Sequence, residues 1–263
     1  MSQVIAFEQL KNTRDLGGMT GADGRKIRPG KLIRSGQLSF ATPADTAKLG
    51  ELVCLIVDFR NANEHEERPD PELDGVPNVS LPILDRGGAG VARDRESEQE
   101  AMRDLFGDPV KAQGAMTRIY EDFAAKPFCR GQYERFVRLL LEDRDKAVLW
   151  HCAGGKDRAG FASVIVQEIL GVDREAVRAD YMKTNECLKE ETAFMIEDTC
   201  RRTGRSDEAA VEAMKHFFGA EMGYLDAVYR TIGELYGDFG TYVREGLNIT
   251  DEETQRLRRL YLE

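Results

Sequence analysis

The sequence predicts an α/β fold, with a mainly parallel twisted central sheet flanked by helices and a helical C-terminal section. Three observations lead there. Short β-rich runs alternate with helical segments through the first half. A strand at Lys146 to Trp150 runs into a glycine-containing loop and then a helix. From Glu175 to Leu262 nearly everything carries helical periodicity.

The elements follow in order. After the turn Ala22-Asp23-Gly24, Leu32 to Ser35 reads as a strand. Thr42-Pro43-Ala44-Asp45 opens a helix, with Thr42 as N-cap and Pro43 at the first helical position. That helix leads into a strand at Leu52 to Phe59, and Pro69-Asp70-Pro71 separates it from another at Val76 to Leu84. Phe136, Val137, Leu139, Leu140 and Leu141 recur at helical spacing within Phe128 to Asp143. The next strand ends at His151-Cys152, and Phe161 to Leu170 is a buried helix. Gly204, Gly219 and Gly237 to Gly240 punctuate the helical remainder. No repeat period and no Gly/Ser or Pro-rich linker divides the chain, so residues 1–263 are expected to form one domain.

Composition excludes several function classes. With 37 basic against 47 acidic side chains the net charge is -10, which disfavours a nucleic-acid reader and nonspecific docking on anionic lipid. Any phosphate must be attracted locally. The start lacks a basic leader and an apolar segment, and runs such as Leu52 to Val57 are too short to span a bilayer. A cytoplasmic protein without an integral membrane segment is expected. Five cysteines without clustering suit reduced thiols rather than disulfides or a thiolate zinc site. The three histidines, His65, His151 and His216, form no H-E-x-x-H pattern, so no metal is expected.

The chemistry concentrates in Val148 to Gly160. Cys152 and Arg158 flank five residues, a spacing that Cys54 to Arg60 and Cys129 to Arg135 also show. Context separates the three. Leu55 to Phe59 would stay extended in a core strand, so Cys54 and Arg60 cannot converge. Cys129 opens an amphipathic helix with no strand before it. Only Cys152 lies on a flexible loop, where Gly154 and Gly155 let consecutive backbone N–H groups curl into a nest for a dianion. A cysteine held by such amides and by an arginine is of the kind that ionises at neutral pH. Arg158 can grip two phosphoryl oxygens at once and keep them as the group flattens toward a trigonal transition state. The candidate phosphate-binding set is Ala153, Gly154, Gly155, Lys156, Asp157 and Arg158. A nucleotide-binding Walker loop is excluded because Trp150 and Asp157 stand where a Gly and a Ser or Thr are required.

The string His151 to Gly160 resembles the H-C-x-x-G-K-D-R-T-G signature of the atypical bacterial tyrosine phosphatases. Asn12 to Gly18, Arg28 to Gly36 and Val57 to Arg60 resemble that family's N-terminal motifs in the same order. Asp180 to Asn185 and Tyr236 through Leu247 resemble its C-terminal ones. The resemblance implies a cysteine phosphatase fold and a two-step hydrolysis, with Cys152 as nucleophile, Arg158 as phosphate ligand and no cofactor. It implies phosphotyrosine protein as substrate, with phosphoinositides as the runner-up. Lys156 is read either as a second cation for substrates carrying more than one phosphate or as a general source of positive potential. The basic run Arg25, Lys26, Arg28, Lys31 and Arg34 is read as a solvated hairpin in preference to a phosphoinositide guide. At the position after the arginine the family usually has a hydroxyl, and here stands Ala159, which predicts a slower second step. A phosphate-reading pseudophosphatase is therefore the rival from another class. Sulfur transfer, as in rhodaneses, is disfavoured by the N-terminal motifs.

Two aspartates compete for the role of general acid. Asp157 lies in the loop and is preferred, on the Lys-Asp-Arg signature. Asp85 follows a strand just before Gly87-Gly88. Arg60 is expected to brace the loop, to bind substrate or, as the favoured alternative, to form a surface salt bridge; His151 is a supporting residue. Phe194, Phe217, Phe218, Tyr224 and Tyr229, within the helical section 185–236, are read as core or as a lid over the loop. The oligomeric state is open.

Overall fold

The computed structural model describes residues 1–84 and 104–263. A six-stranded sheet of order β1-β2-β3-β6-β4-β5 forms its centre. Its strands are β1 Gln3–Val4, β2 Arg14–Asp15, β3 Leu32–Ser35, β4 Val53–Asp58, β5 Asn78–Ser80 and β6 Ala147–His151. β3, β6, β4 and β5 are parallel, while β1 and β2 add an antiparallel edge that the sequence reading missed. The strands expected at Leu52 to Phe59 and Val76 to Leu84 are shorter than foreseen, because paired backbone stops at Asp58 and Ser80.

Helix α1 (Pro43–Leu52) starts as expected: Thr42 accepts from the Asp45 amide at 3.1 Å, and Asp45 closes the capping box. α2 (Ala62–Glu67) follows β4 with a second capping box, from Asn61 and Glu64. Helix α3 (Pro109–Ala125) was not anticipated, although Asp108 caps it ahead of Pro109 and Ala112, Met116, Tyr120 and Phe123 form its buried stripe. α4 (Pro127–Leu139) carries Cys129, whose thiol donates to the Ile83 carbonyl at 3.1 Å. α5 (Arg158–Ile169) is buried along nearly its whole length, as its apolar composition demands.

The main helices of the remainder are α6 (Arg174–Cys187), α7 (Lys189–Thr203), α8 (Glu208–Phe218), α9 (Met222–Tyr236) and α10 (Asp251–Tyr261), with short helical turns at Phe239–Thr241 and Tyr242–Gly246 between the last two. Gly204 ends α7 in the left-handed region at φ 69°, and Gly237 follows α9 at φ 83°. Among the described residues no helix is long and apolar enough to cross a membrane.

The helical section is not uniform. Tyr224 and Tyr229 pack with the main core, which reaches from Leu16 to Leu262. α7 buries no residue, and Phe194 is 58% exposed. Phe217 and Phe218 join Phe106, Ala210 and Met214 in a separate small cluster with Ile196 and Cys200 of α7. The aromatics read together from sequence thus split between core, satellite cluster and surface.

Candidate active site

The site lies where β6 ends, between β3 and β4. Parallel pairing brings Ser35, His151 and Asp58 level at one edge, where ligands bind in open α/β sheets. Cys152 follows, 2% exposed. Trp150 fixes the geometry from beneath, its indole N–H donating to Ala159 O (3.2 Å) and Ser163 Oγ (3.1 Å) of α5.

The loop is held from behind, carbonyl by carbonyl. Ala153 O accepts from the Gln37 amide at 3.0 Å, Gly154 O from Asn12 Nδ2 at 3.1 Å and Gly155 O from Arg34 Nη2 at 2.6 Å. In a trans peptide the N–H points opposite to its carbonyl. The amides of Gly154, Gly155 and Lys156 therefore face away from these supports, the orientation that a nest for a dianion requires. Gly155 adopts φ 66°, and a Cβ there would stand 2.4 Å from the Ser35 carbonyl oxygen. Only glycine fits.

Sequence reading missed these supports. Asn12, itself at φ 57°, is buried, and so is Arg34. Arg34 had been expected on a solvated hairpin; the parallel β3–β6 pairing puts it under the loop instead. Asp180 gathers the base of the site. Its Oδ2 lies 3.8 Å from Arg34 Nη1 and accepts from Gln167 at 3.0 Å, while its carbonyl accepts from Arg14 at 3.2 Å. Burial, with Arg14 beside it, lowers the Arg34 guanidinium to about 10. The motifs around Asn12, Arg34 and Asp180, far apart in sequence, converge on one loop.

Arg158 is gripped end-on by Glu64, Nη1 to Oε2 at 2.6 Å and Nη2 to Oε1 at 2.8 Å. Burial alone would lower its pKa; the Glu64 hydrogen bonds and the neighbouring Cys152 raise it, so it stays a cation. Two of its five N–H donors are thereby fixed, leaving three for an oxyanion. The same carboxylate caps α2, accepting the Asn61 amide at 2.9 Å. Glu64 was not foreseen, although Asn61-x-x-Glu64 is a visible capping signal.

Lys156 is 6% exposed and donates to Phe217 O (2.8 Å) and Gly219 O (2.9 Å) at the C-terminal end of α8, standing 3.1 Å from Asp157 Oδ1. Its three N–H donors are matched by three oxygens. Asp157 Oδ1 also accepts from the Tyr120 hydroxyl at 2.7 Å. Asp85 lies outside the described residues.

Arg60 is corrected from a surface salt bridge to a buried one, 1% exposed, because the strand end places it inside a charge network. It donates to Asp58 Oδ2 at 2.8 Å and lies 2.8 Å from Asp70 Oδ1. Asp70 Oδ2 in turn stands 3.0 Å from His151 Nε2. Asp58, Asp70 and His151 lie close enough to suggest a metal site, but Arg60 already supplies the positive charge between the two carboxylates. A cleft of about 810 Å³ beside β5 is lined by Asp58, Asp70, Glu72 and Asp74, a poor surface for an anion.

A sequence profile described as the tyrosine phosphatase family matches residues 5–263. A Cupriavidus necator protein named "Putative tyrosine-protein phosphatase" is 30% identical, covering 98% of this chain and 88% of its own length. The triple specificity protein phosphatase PtpB of Mycobacterium tuberculosis is 29% identical over 90% of this chain and 92% of its own. A tyrosine-protein phosphatase of Nostoc commune is 21% identical over 86% of this chain and 72% of its own. The chain belongs to the tyrosine phosphatase family.

Proposed function

We propose that this protein hydrolyses phosphotyrosine in proteins through a phosphocysteine intermediate. The capture of three successive loop carbonyls carries this reading, because it preorganises the opposing amides for a phosphoryl group before any substrate arrives. The Cys152 thiolate attacks phosphorus as the ester P–O bond breaks, and Asp157 gives its proton to the departing phenolic oxygen. Water then attacks the phosphocysteine, Asp157 takes the water proton, and the S–P bond breaks to release phosphate. Arg158 and the loop amides hold the equatorial oxygens throughout.

Lys156 favours a phosphotyrosyl protein over a polyphosphoinositide. A second phosphate needs a free cation, and this ammonium is taken up by three oxygens. The same contacts tie α8 to the loop, and we read α7 and α8 as a cover over it. The test is pre-steady-state hydrolysis of a chromogenic aryl phosphate, with phosphopeptides and phosphoinositides compared by kcat/KM. A burst of one equivalent, lost in Cys152→Ser while phosphate binding persists, is expected. Appreciable turnover by Cys152→Ser would overturn the mechanism, and preference for phosphoinositides would overturn the substrate class.

A further inference from the structure

Asp157 Oδ1 is a meeting point of donors. Tyr120 of α3 donates to it at 2.7 Å and Lys156 Nζ stands 3.1 Å away, while among the described residues Oδ2 has no hydrogen-bond partner. Tyr181 of α6 donates in turn to the Tyr120 oxygen at 2.9 Å. Tyr181 lies within the Asp180 to Asn185 motif, but neither tyrosine acquires a role from sequence alone.

We propose that Tyr120 is the positioning residue for the general acid: it anchors Oδ1 so that Oδ2 carries the proton to the leaving oxygen. The inference rests on the phosphatase reading with Asp157 as acid. A phenol has one proton. Because Tyr181 donates to the Tyr120 oxygen, the Tyr120 proton is committed to Asp157. Both hydroxyls stay protonated, since burial first, and then the Asp157 charge, raises their pKa far above neutrality. As Oδ2 loses its proton, charge develops on the carboxylate and the bond from Tyr120 strengthens, an interaction worth more in the transition state than before it. The anchor is itself held by aromatic packing. The Tyr120 ring packs against Phe123 (5.2 Å between centroids), Tyr224 (5.4 Å) and Tyr181 (6.2 Å). Among the described residues, the charged or titratable groups facing Asp157 are Lys156, Arg158, Tyr120, Tyr181 and Tyr224.

Aryl phosphates of graded leaving-group pKa test this on the full-length protein. Tyr120→Phe should lose about tenfold in kcat with poor leaving groups, the worth of one hydrogen bond to a developing charge. With good leaving groups kcat should change less than twofold, KM should hold, and the alkaline limb of the kcat profile should move to higher pH. Tyr181→Phe, should Tyr120→Phe not fold, is expected to shift the same limb in the same direction by less. An equal loss across all leaving groups with the limb unmoved, in a folded variant, would overturn the proposal. Asp157→Asn run alongside separates the two levels. If it is steeply sensitive to the leaving group while Tyr120→Phe is not, only the role of Tyr120 fails. If Asp157→Asn is itself insensitive, the acid assignment fails with it.

Discussion

Two adjacent glycines in the phosphate loop make a paired experiment, because the structure assigns them opposite tolerances. At Gly155 an added methyl would lie 2.4 Å from Ser35 O and 2.6 Å from the Gly36 amide nitrogen, at φ 66°. Both obstacles are backbone at the end of β3, which cannot rotate away. The left-handed conformation adds roughly 1–2 kcal/mol for a residue with a Cβ. The loop of Gly155→Ala must therefore move, carrying the Gly155 carbonyl off Arg34 and the Lys156 amide off the phosphoryl oxygen. Loss of one preorganised donor costs about 3 kcal/mol, or 10² to 10³ in rate. At Gly154 the nearest atom to a new Cβ is Lys156 Cβ at 3.8 Å, an ordinary contact. Gly154→Ala should fold and retain activity within about threefold, the scale of a neutral surface change. The measurements are kcat/KM with an aryl phosphate, the Kd of vanadate, and Tm to establish folding. Comparable activity of the two variants would refute the claim that the backbone behind Gly155 shapes the nest.

Arg158→Lys cannot hold Glu64 and two phosphoryl oxygens together, so kcat/KM should fall about 10²-fold, corresponding to roughly 3 kcal/mol; a rate within threefold of wild type would contradict the role. For Asp58, burial would raise the carboxyl, but the Arg60 hydrogen bonds and the charges of His151 and Arg60 hold it at about 2. Its folded pKa is depressed, so its contribution is complete above the ordinary carboxylate range and is lost as pH falls toward about 2. At about 1.4 kcal/mol per pKa unit that is about 2 kcal/mol. Asp58→Asn should be less stable than wild type at pH 7 and lose less stability below pH 4; urea midpoints across that range check it. Lys156→Met removes the tie to Phe217 O and Gly219 O. Peroxide should then inactivate the enzyme several-fold faster, and unchanged sensitivity in a folded variant would deny that α7 and α8 cover the loop.

What the sequence made legible was local. The strand, the loop and α5 are contiguous from Ala147 to Ile169, so periodicity, the double glycine and the Cys152 to Arg158 spacing sufficed to place them. The capping residue Thr42 was visible for the same reason. The supports were not, because each arrives from elsewhere: Asn12 from the segment before β2, Arg34 from β3, Glu64 from α2, Tyr120 from α3, Asp180 from α6. Their patterns announce a cap, an amphipathic helix or a strand end, and nothing in spacing says that these elements meet. Lys156 shows the converse. Its charge was plain, but whether that charge faces substrate or helix carbonyls depends on α8, whose C-terminal end lies 61 residues away.

An acidic protein that attracts phosphate needs positive charge that is not cancelled where it counts. Around Arg158 the balance is even, since Glu64 answers it directly. Beneath the loop it is not. Arg14 and Arg34 are both fully buried; the Asp180 carboxylate lies 3.8 Å from Arg34 Nη1 and is shared with Ser2 and Gln167, while of Asp180 Arg14 reaches only the backbone carbonyl. Burial penalises unpaired charge, and the lowered pKa of Arg34, with Arg14 as its second cause, registers that cost. The excess cation is nevertheless kept, held against the Gly155 carbonyl at 2.6 Å. An oxyanion entering the nest supplies the missing counter-charge through the amides that this same contact orients. On the proposed reading, the unfavourable burial of Arg34 is relieved when a phosphoryl group binds, so the support that shapes the loop also draws the substrate to it.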